Sequence, residues 1–538
     1  MTDARHIAAD VDAVVVGAGF AGLYALHRLT QAGLTVQGFE AGDGVGGTWY
    51  WNRYPGARCD IESLDYSYSF SEDLQQEWEW TERYASQPEI LRYLEHVADR
   101  FDLRRHIAFE TRVHAASFDA GTNRWTVSTD SGTTTASFLI MAVGCLSAAQ
   151  IPDIPGLETF RGEVLHTGQW PHEGVDLTGK RVGIIGTGSS GIQAIPVVAE
   201  AADELFVFQR TPNYSVPAGN APLSDDEIAA MKARYAEHRR RARETYFGVE
   251  FPVTELSSRS ALEVAGSQRD REFQARWDRG GPGMTRAFTD ILTDRRANET
   301  AAEFIRSKIR ELVTDKEVAE LLVPMDHPFG TKRPPIDTNY YDTFNRDNVT
   351  LVDVRSDPIV EVVPSGLRTR EASYDFDVLV LATGFDAMTG PLLRMDIRGV
   401  GGRELRDKWS AGPATYLGLA TEGFPNMFMI AGAGSPSVFS NMVISIEEHV
   451  DWILDCLQYL RSSGHTVIEA CADAEHEWVE HVNVTAAKTL YPEANSWYLG
   501  ANIPGKPRVF MPYVGGIVEY RRRCQDVAER GYAGFRWA

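Results

Sequence analysis

The sequence predicts an α/β protein with two Rossmann-like dinucleotide-binding domains and a mostly helical insertion. Residues 11–29 (VDAVVVGAGFAGLYALHRL) and 180–198 (KRVGIIGTGSSGIQAIPVV) run in the same order: apolar strand, glycine turn, helix. From about residue 223 to 320 the composition shifts to Arg, Glu, Ala and Lys, as in DEIAAMKARYAEHRRRARETYF, which reads as helix.

The first turn is Gly17-x-Gly19-x-x-Gly22, with Phe20 opening its helix. Gly17 allows the tight turn, Gly19 lets a pyrophosphate reach the backbone, and Gly22 lets helix and strand pack closely. Glu40 ends the next predicted strand (35–39), 18 residues after Gly22, where a carboxylate can accept hydrogen bonds from ribose hydroxyls. This unit is expected to hold FAD, tightly and without a covalent link. Further strands are expected over 125–127, 138–143 and 377–382, and loops over 324–335 and 424–437.

The second turn is Gly186-x-Gly188-x-x-Gly191, followed by a strand over 204–208. Here Arg210 stands where the first unit has an acid, 19 residues after Gly191. A carboxylate would repel a 2′-phosphate and an arginine can pair with it bidentately. This unit is therefore expected to take NADPH, with Thr187, Ser189, Gln193 and Thr211 beside it. A flavin next to a nicotinamide implies hydride transfer onto the flavin.

Two folds and an insertion divide the 538 residues into 1–147 with 388–538 (FAD), 148–222 with 328–387 (NADP) and 223–327 (insertion). The net charge of −22 argues against nucleic acid as a partner. Cys59, Cys145, Cys456, Cys471 and Cys524 are scattered, with no C-x-x-C, so neither a disulfide framework nor a metal site is expected. Residues 1–12 have no long apolar core and no stretch is long enough to span a membrane, so a soluble, cytoplasmic protein is expected. The oligomeric state is left open. The runs 239–243 and 521–523 read as solvated helix faces.

The absence of a redox-active cysteine pair counts against a disulfide reductase. Phe160-x-Gly162-x-x-x-His166-x-x-x-Trp170-Pro171 matches F-x-G-x-x-x-H-x-x-x-W-P at every fixed position. Gly46-Gly47-Thr48-Trp49, then Tyr54-Pro55-Gly56 and Asp60, matches G-G-x-W-x-x-x-x-[FY]-P-G-x-x-x-D. With PFGTKR (328–333), ATGFD (382–386), GSPS (434–437) and the segment 497–506, the chain resembles the type I Baeyer–Villiger monooxygenases over nearly its whole length. Segments 51–63 and 187–193 are similar to those of the phenylacetone and steroid enzymes. Residues 437–441 keep the extra residues that the cyclohexanone enzymes lack. The insertion near 246–271 departs most from that pattern.

The resemblance implies an FAD-dependent enzyme that consumes NADPH and dioxygen and converts a ketone to an ester or lactone through a C4a-peroxyflavin, with sulfides as further substrates. It makes Arg333 the permanent cation beside the reacting oxygen, because guanidinium stays charged at any working pH. Asp60 would tune it, and Lys332 would contact the NADP phosphate or ribose. Gly47, Thr48, Trp49, Tyr54, Pro55 and Tyr66 would lie by the flavin, and Trp497 in a segment that closes over the nicotinamide. Ser437, Val438, Phe439, Ser440 and Met442 would shape the ketone pocket. His166 lies in a linker before the second domain and would anchor a hinge with Phe160, Gly162, Trp170 and Pro171 instead of acting as a base. Bulky aryl or steroid-like ketones lead, with cyclic ketones behind. The other readings are an N- or S-oxygenating flavin monooxygenase and a non-catalytic redox sensor.

Overall fold

The computed structural model describes residues 7–250 and 258–538. The expectations made for residues 1–6, and for 251–257 within the insertion, lie outside the described residues.

The first sheet is built around Asp10–Val16, whose DVDAVVV run is buried on both faces over its second half. Such runs suit parallel strands covered by helices on both sides. Val36–Phe39 and Gly132–Met141 flank it in parallel, with Val16 level with Phe39 and Met141. The chain returns to this sheet late: Asp396–Arg398 adds to Val113–Asp119, and Met427–Met429 to Gly132–Met141, both in parallel. Helix Phe20–Gln31 packs against Met442–Ser462, and Arg28 Nε donates to Asp451 Oδ1 across the contact at 2.8 Å.

The second sheet is wholly parallel, in the order Val349–Asp353, Glu204–Gln209, Arg181–Ile185, Val378–Leu381, Glu163–His166. His166 is thus not in a linker. It ends an edge strand, level with Leu381, because the EVLH stretch finds an unpaired edge in Val378–Leu381. Its Nδ1 accepts from Gly168 N at 2.9 Å.

The insertion is mostly helical: Asp225–Lys232, Tyr235–Arg243, Gly266–Arg279, Arg295–Leu312 and Lys316–Leu322. It leaves and rejoins the second unit at a two-stranded parallel pair, Val216–Pro217 with Ile336–Asp337. Its longest helix follows the amphipathic rule: Ala297, Ala301, Ile305 and Ile309 form one buried stripe. Asp294 caps it, accepting from the N–H groups of Arg296 and Ala297.

The reading of the two arginine runs as solvated faces is corrected. Arg240 and Arg522 do face solvent, but Arg239 is 4% exposed, and Arg521 reaches Glu448 and the Arg243 carbonyl. A run of like charges covers the whole circumference of a helix, so one side must meet whatever the helix docks on. Here that side meets polar loops and carboxylates. All five cysteines are free. Among the described residues, no helix is long and apolar enough to cross a membrane.

Candidate active site

At the first turn Gly17 has φ +106°, and a Cβ on Gly22 would stand 1.8 Å from the Gly17 carbonyl oxygen. Gly19 abuts Gly47, whose Cα would lie 3.2 Å from a Cβ on Gly19. Helix Phe20–Gln31 begins with no side chain capping its amides, which leaves them for a phosphate. Glu40 is buried; Oε2 accepts from Ala18 N and Oε1 from Gly42 N, both at 2.9 Å. Burial raises its pKa, opposed by these amides. Each carboxylate oxygen still has acceptor capacity for a ribose hydroxyl. The dinucleotide therefore fits this cradle.

The second cradle is more open. Gly186 has φ +114° and a Cβ on Gly191 would meet the Gly186 oxygen at 2.2 Å, yet nothing lies within 4 Å of one on Gly188. Helix Ser189–Ala201 again lacks a side-chain cap. Thr187 Oγ1 donates to the Thr211 carbonyl at 3.1 Å, and Ser189 is exposed at the helix start. Gln193 works across the two units: Tyr54 Oη donates to its Oε1 at 2.8 Å, and its Nε2 donates to the Arg58 carbonyl at 3.0 Å.

Arg210 is exposed just beyond the strand Glu204–Gln209. The lysine of the PFGTKR loop lies close by. Burial pushes the Lys332 pKa down, Asp326 opposes this, and the nearby charges of Arg210 and Arg355 lower it further. Arg355, which the sequence did not single out, follows the neighbouring strand Val349–Asp353 and pairs with Asp326 at 3.2 Å. Both arginines stand at the carboxyl ends of adjacent parallel strands, where a Rossmann fold receives the adenosine half of its nucleotide.

The two halves meet at Arg333 and Asp60, 273 positions apart. Arg333 Nη2 donates to Asp60 Oδ1 at 2.9 Å, Nε donates to Oδ2, and Nη1 donates to the Val438 carbonyl at 2.7 Å. Burial lowers the pKa of this guanidinium, but the attraction of Asp60 outweighs it and holds it above its ordinary value. The loop of Asp60 is fixed by Cys59 N to the Ala85 carbonyl and Ser63 N to the Arg83 carbonyl. The loop of Arg333 is fixed by buried Asn298 of the insertion, whose Oδ1 accepts from Phe329 N and whose Nδ2 donates to the Phe329 carbonyl. Nothing in the sequence marked Asn298, because its role depends on a loop 31 residues away.

Arg333 opens onto a cavity of about 720 Å³ including its mouth. Its side chain keeps 32% of its surface, and that surface meets the cavity. Of the residues 437–440 and 442, Val438, Phe439 and Ser440 line the cavity and Ser437 and Met442 do not. Ser437 is fully buried behind the wall with its hydroxyl 3.9 Å from Met388 Sδ, and Met442 begins the helix that leaves the site. Tyr498, not Trp497, reaches the cavity, with Trp497 packed against it at 4.3 Å between ring centroids. Unforeseen wall residues are Ile61, Phe247, Val249, Met284 and Arg286, the last over the Phe247 ring at 3.3 Å from its centroid. Trp49 and Tyr66 pack in the core of the first unit, joined by Trp49 Nε1 donating to Tyr66 Oη at 3.2 Å. Trp170 is buried in the core of the second unit.

Two uncapped glycine-turn cradles and a half-buried arginine on the wall of an open cavity are the frame of a flavoprotein of two nucleotide folds. Residues 11–217 match the family described as flavin-binding monooxygenase-like. A protein of Pseudooceanicola batsensis named Baeyer–Villiger monooxygenase is 46% identical, over 98% of this chain and 96% of its own. A phenazine N-monooxygenase of Lysobacter antibioticus is 42% identical over 97% of this chain and 96% of its own. A solved structure described as oxidized steroid monooxygenase bound to NADP superimposes with a TM-score of 0.93 at 56% identity, covering 98% of this chain and 99% of that one. The chain belongs to the Baeyer–Villiger monooxygenase family.

Proposed function

We propose that this protein uses FAD, NADPH and dioxygen to insert one oxygen atom beside the carbonyl of a ketone, giving an ester or lactone. The observation that carries it is the Arg333–Asp60 pair, which holds a permanent cation at the wall of a mostly apolar cavity between segments of the two nucleotide units. FAD belongs to the cradle of Gly17, Gly19, Phe20, Gly22, Glu40, Gly47, Thr48, Trp49 and Tyr66. NADPH belongs to Gly186, Thr187, Gly188, Ser189, Gly191, Gln193, Arg210, Thr211 and Lys332, with Trp497 in the segment beside it. FAD held there would supply acceptance of hydride from the nicotinamide and activation of dioxygen.

The protein's own part is electrostatic and geometric. Arg333 offers a fixed positive charge to oxygen that becomes negative during transfer, in a site shielded from water where such an interaction is strong. Asp60 and the Val438 carbonyl hold the guanidinium plane, so no reorganisation is needed at that moment. The apolar wall of Ile61, Val438 and Phe439 excludes water from the reacting oxygen. The sheet memberships support the division into 1–147 with 388–538, 148–222 with 328–387, and 223–327. Phe160, Gly162, His166, Trp170 and Pro171 then belong to the entry into the second unit. Free, scattered cysteines suit a reducing cytoplasm.

The likeness to a steroid monooxygenase favours a bulky ketone, aryl or steroid-like, with cyclic ketones as further substrates. The test is NADPH consumption against a panel of these, with mass spectrometry for products heavier by one oxygen atom. Products from amines or sulfides alone would replace the ketone reading by N- or S-oxygenation.

Arg210→Ala is expected to raise the NADPH KM by roughly tenfold or more, because a charged hydrogen bond contributes about 1.5–3 kcal/mol. NADH should change little. Equal weakening of both coenzymes in initial-rate measurements would show that Arg210 does not read the 2′-phosphate.

A further inference from the structure

His238 lies on the insertion helix Tyr235–Arg243 and is 3% exposed. Its Nε2 is 2.7 Å from Asp65 Oδ1 and its Nδ1 is 2.7 Å from Glu250 Oε2. Each ring nitrogen thus lies at hydrogen-bond distance from a carboxylate oxygen. Burial raises the pKa of Glu250, but His238, Arg234 and Arg241 outweigh it and hold the group below its ordinary value. Asp65 comes from the same loop as Asp60 and Ile61, and Glu250 directly follows Val249.

The network continues into the cavity wall. The Asp65 carbonyl accepts from Arg239 Nη1 at 3.2 Å and from Asn441 Nδ2 at 2.7 Å. Asn441 N in turn donates to the Phe247 carbonyl at 2.7 Å. Phe247, Val249, Asn441 and Ile61 all line the cavity that holds Arg333. Two routes thus run from His238 to the same wall, one through Asp65 and Asn441, the other through Glu250. Buried polar networks add little net stability over apolar replacements, so a buried histidine held between two carboxylates calls for a role in fixing one arrangement.

We infer that His238 is a positioning residue for the ketone cavity: it clamps the Phe247 and Val249 wall of the insertion against the FAD-side loop, and so sets how tightly the ketone is held and how well water is kept out. This rests on the reading of the cavity as the ketone site. It places substrate affinity under the control of a helix that touches neither ketone nor nucleotide.

The test uses FAD-loaded enzyme and the variants His238→Ala and Glu250→Gln. Glu250→Gln keeps the shape and removes only the wall-side charge, so it decides the matter if His238→Ala does not fold. The ketone KM is expected to rise about tenfold, equivalent to about 1.4 kcal/mol. More NADPH should be spent on hydrogen peroxide, while flavin reduction by NADPH stays within about twofold of wild type. Amide hydrogen exchange over 244–250 should quicken in both variants, which reads the clamp without turnover. Unchanged exchange and an unchanged ketone KM would overturn the assignment, as would an equal fall in flavin reduction and ketone turnover. If wild-type enzyme yields no ketone product, the reaction reading fails, and hydrogen exchange still decides whether the clamp exists.

Discussion

Arg333→Ala is expected to fold, hold FAD and bind NADPH while forming almost no ester. The side chain touches the cavity at the edge of the two units, and its neighbours Asp60 and Val438 are fixed by their own loops. Removing a preorganised charge from a shielded site costs about 10²–10³ in rate or more. Lysine is not expected to rescue. Arg333 uses one plane to serve both Asp60 oxygens and the Val438 carbonyl at once, and a single ammonium cannot keep those bonds and also face the reacting oxygen. Asp60→Ala should show a milder form of the defect, because the cation remains but loses its orientation. The measurement is stopped-flow mixing of the reduced variant with oxygen and ketone, followed by product analysis. Ester formation at near wild-type rate in Arg333→Ala would remove Arg333 from the mechanism and leave Lys332 as the cation to examine.

Gly22→Ala is expected to yield protein without flavin. Its Cβ would stand 1.8 Å from the Gly17 carbonyl oxygen and 2.7 Å from the carbonyl carbon, and both are backbone atoms of the turn itself. Relief requires the helix to move off the strand, which opens the phosphate cradle. Gly188→Ala, at the second glycine of the other turn, is the contrast. It adds the same methyl group to the equivalent turn of the second unit, at φ −82° and with nothing within 4 Å. That variant should fold and keep FAD, and should lose NADPH affinity because the methyl group projects into open space at the helix start. The flavin-to-protein absorbance ratio separates the two. A Gly22→Ala protein carrying flavin at the wild-type ratio would mean that the turn relaxes without opening.

The glycine turns, the buried parallel strands and the acid-against-arginine contrast of Glu40 and Arg210 were legible in the sequence. Each is a local constraint: a backbone conformation, a two-sided apolar run, or a charge at a fixed distance along the chain. The PFGTKR loop and Asp60 were also found, but only as segments matching a pattern. Their pairing across 273 residues is a property of how the loops are tied down, by Asn298 on one side and Ala85 and Arg83 on the other. The insertion was legible as helix and illegible as a wall. Helical periodicity says which face is apolar, not which neighbour that face meets, and Phe247, Val249 and Met284 lie in turns outside the long helices, so they carried no mark of the cavity. For the same reason Arg239 read as part of a solvated charge run and His238 carried no mark, although tertiary packing buries them against Ser67 and Asp65. The sequence by itself determined which nucleotides the chain binds, because the turns that bind them are made by consecutive residues. Only the tertiary structure decided what surrounds Arg333, because that surface is assembled from segments whose proximity depends on the packing of the whole chain.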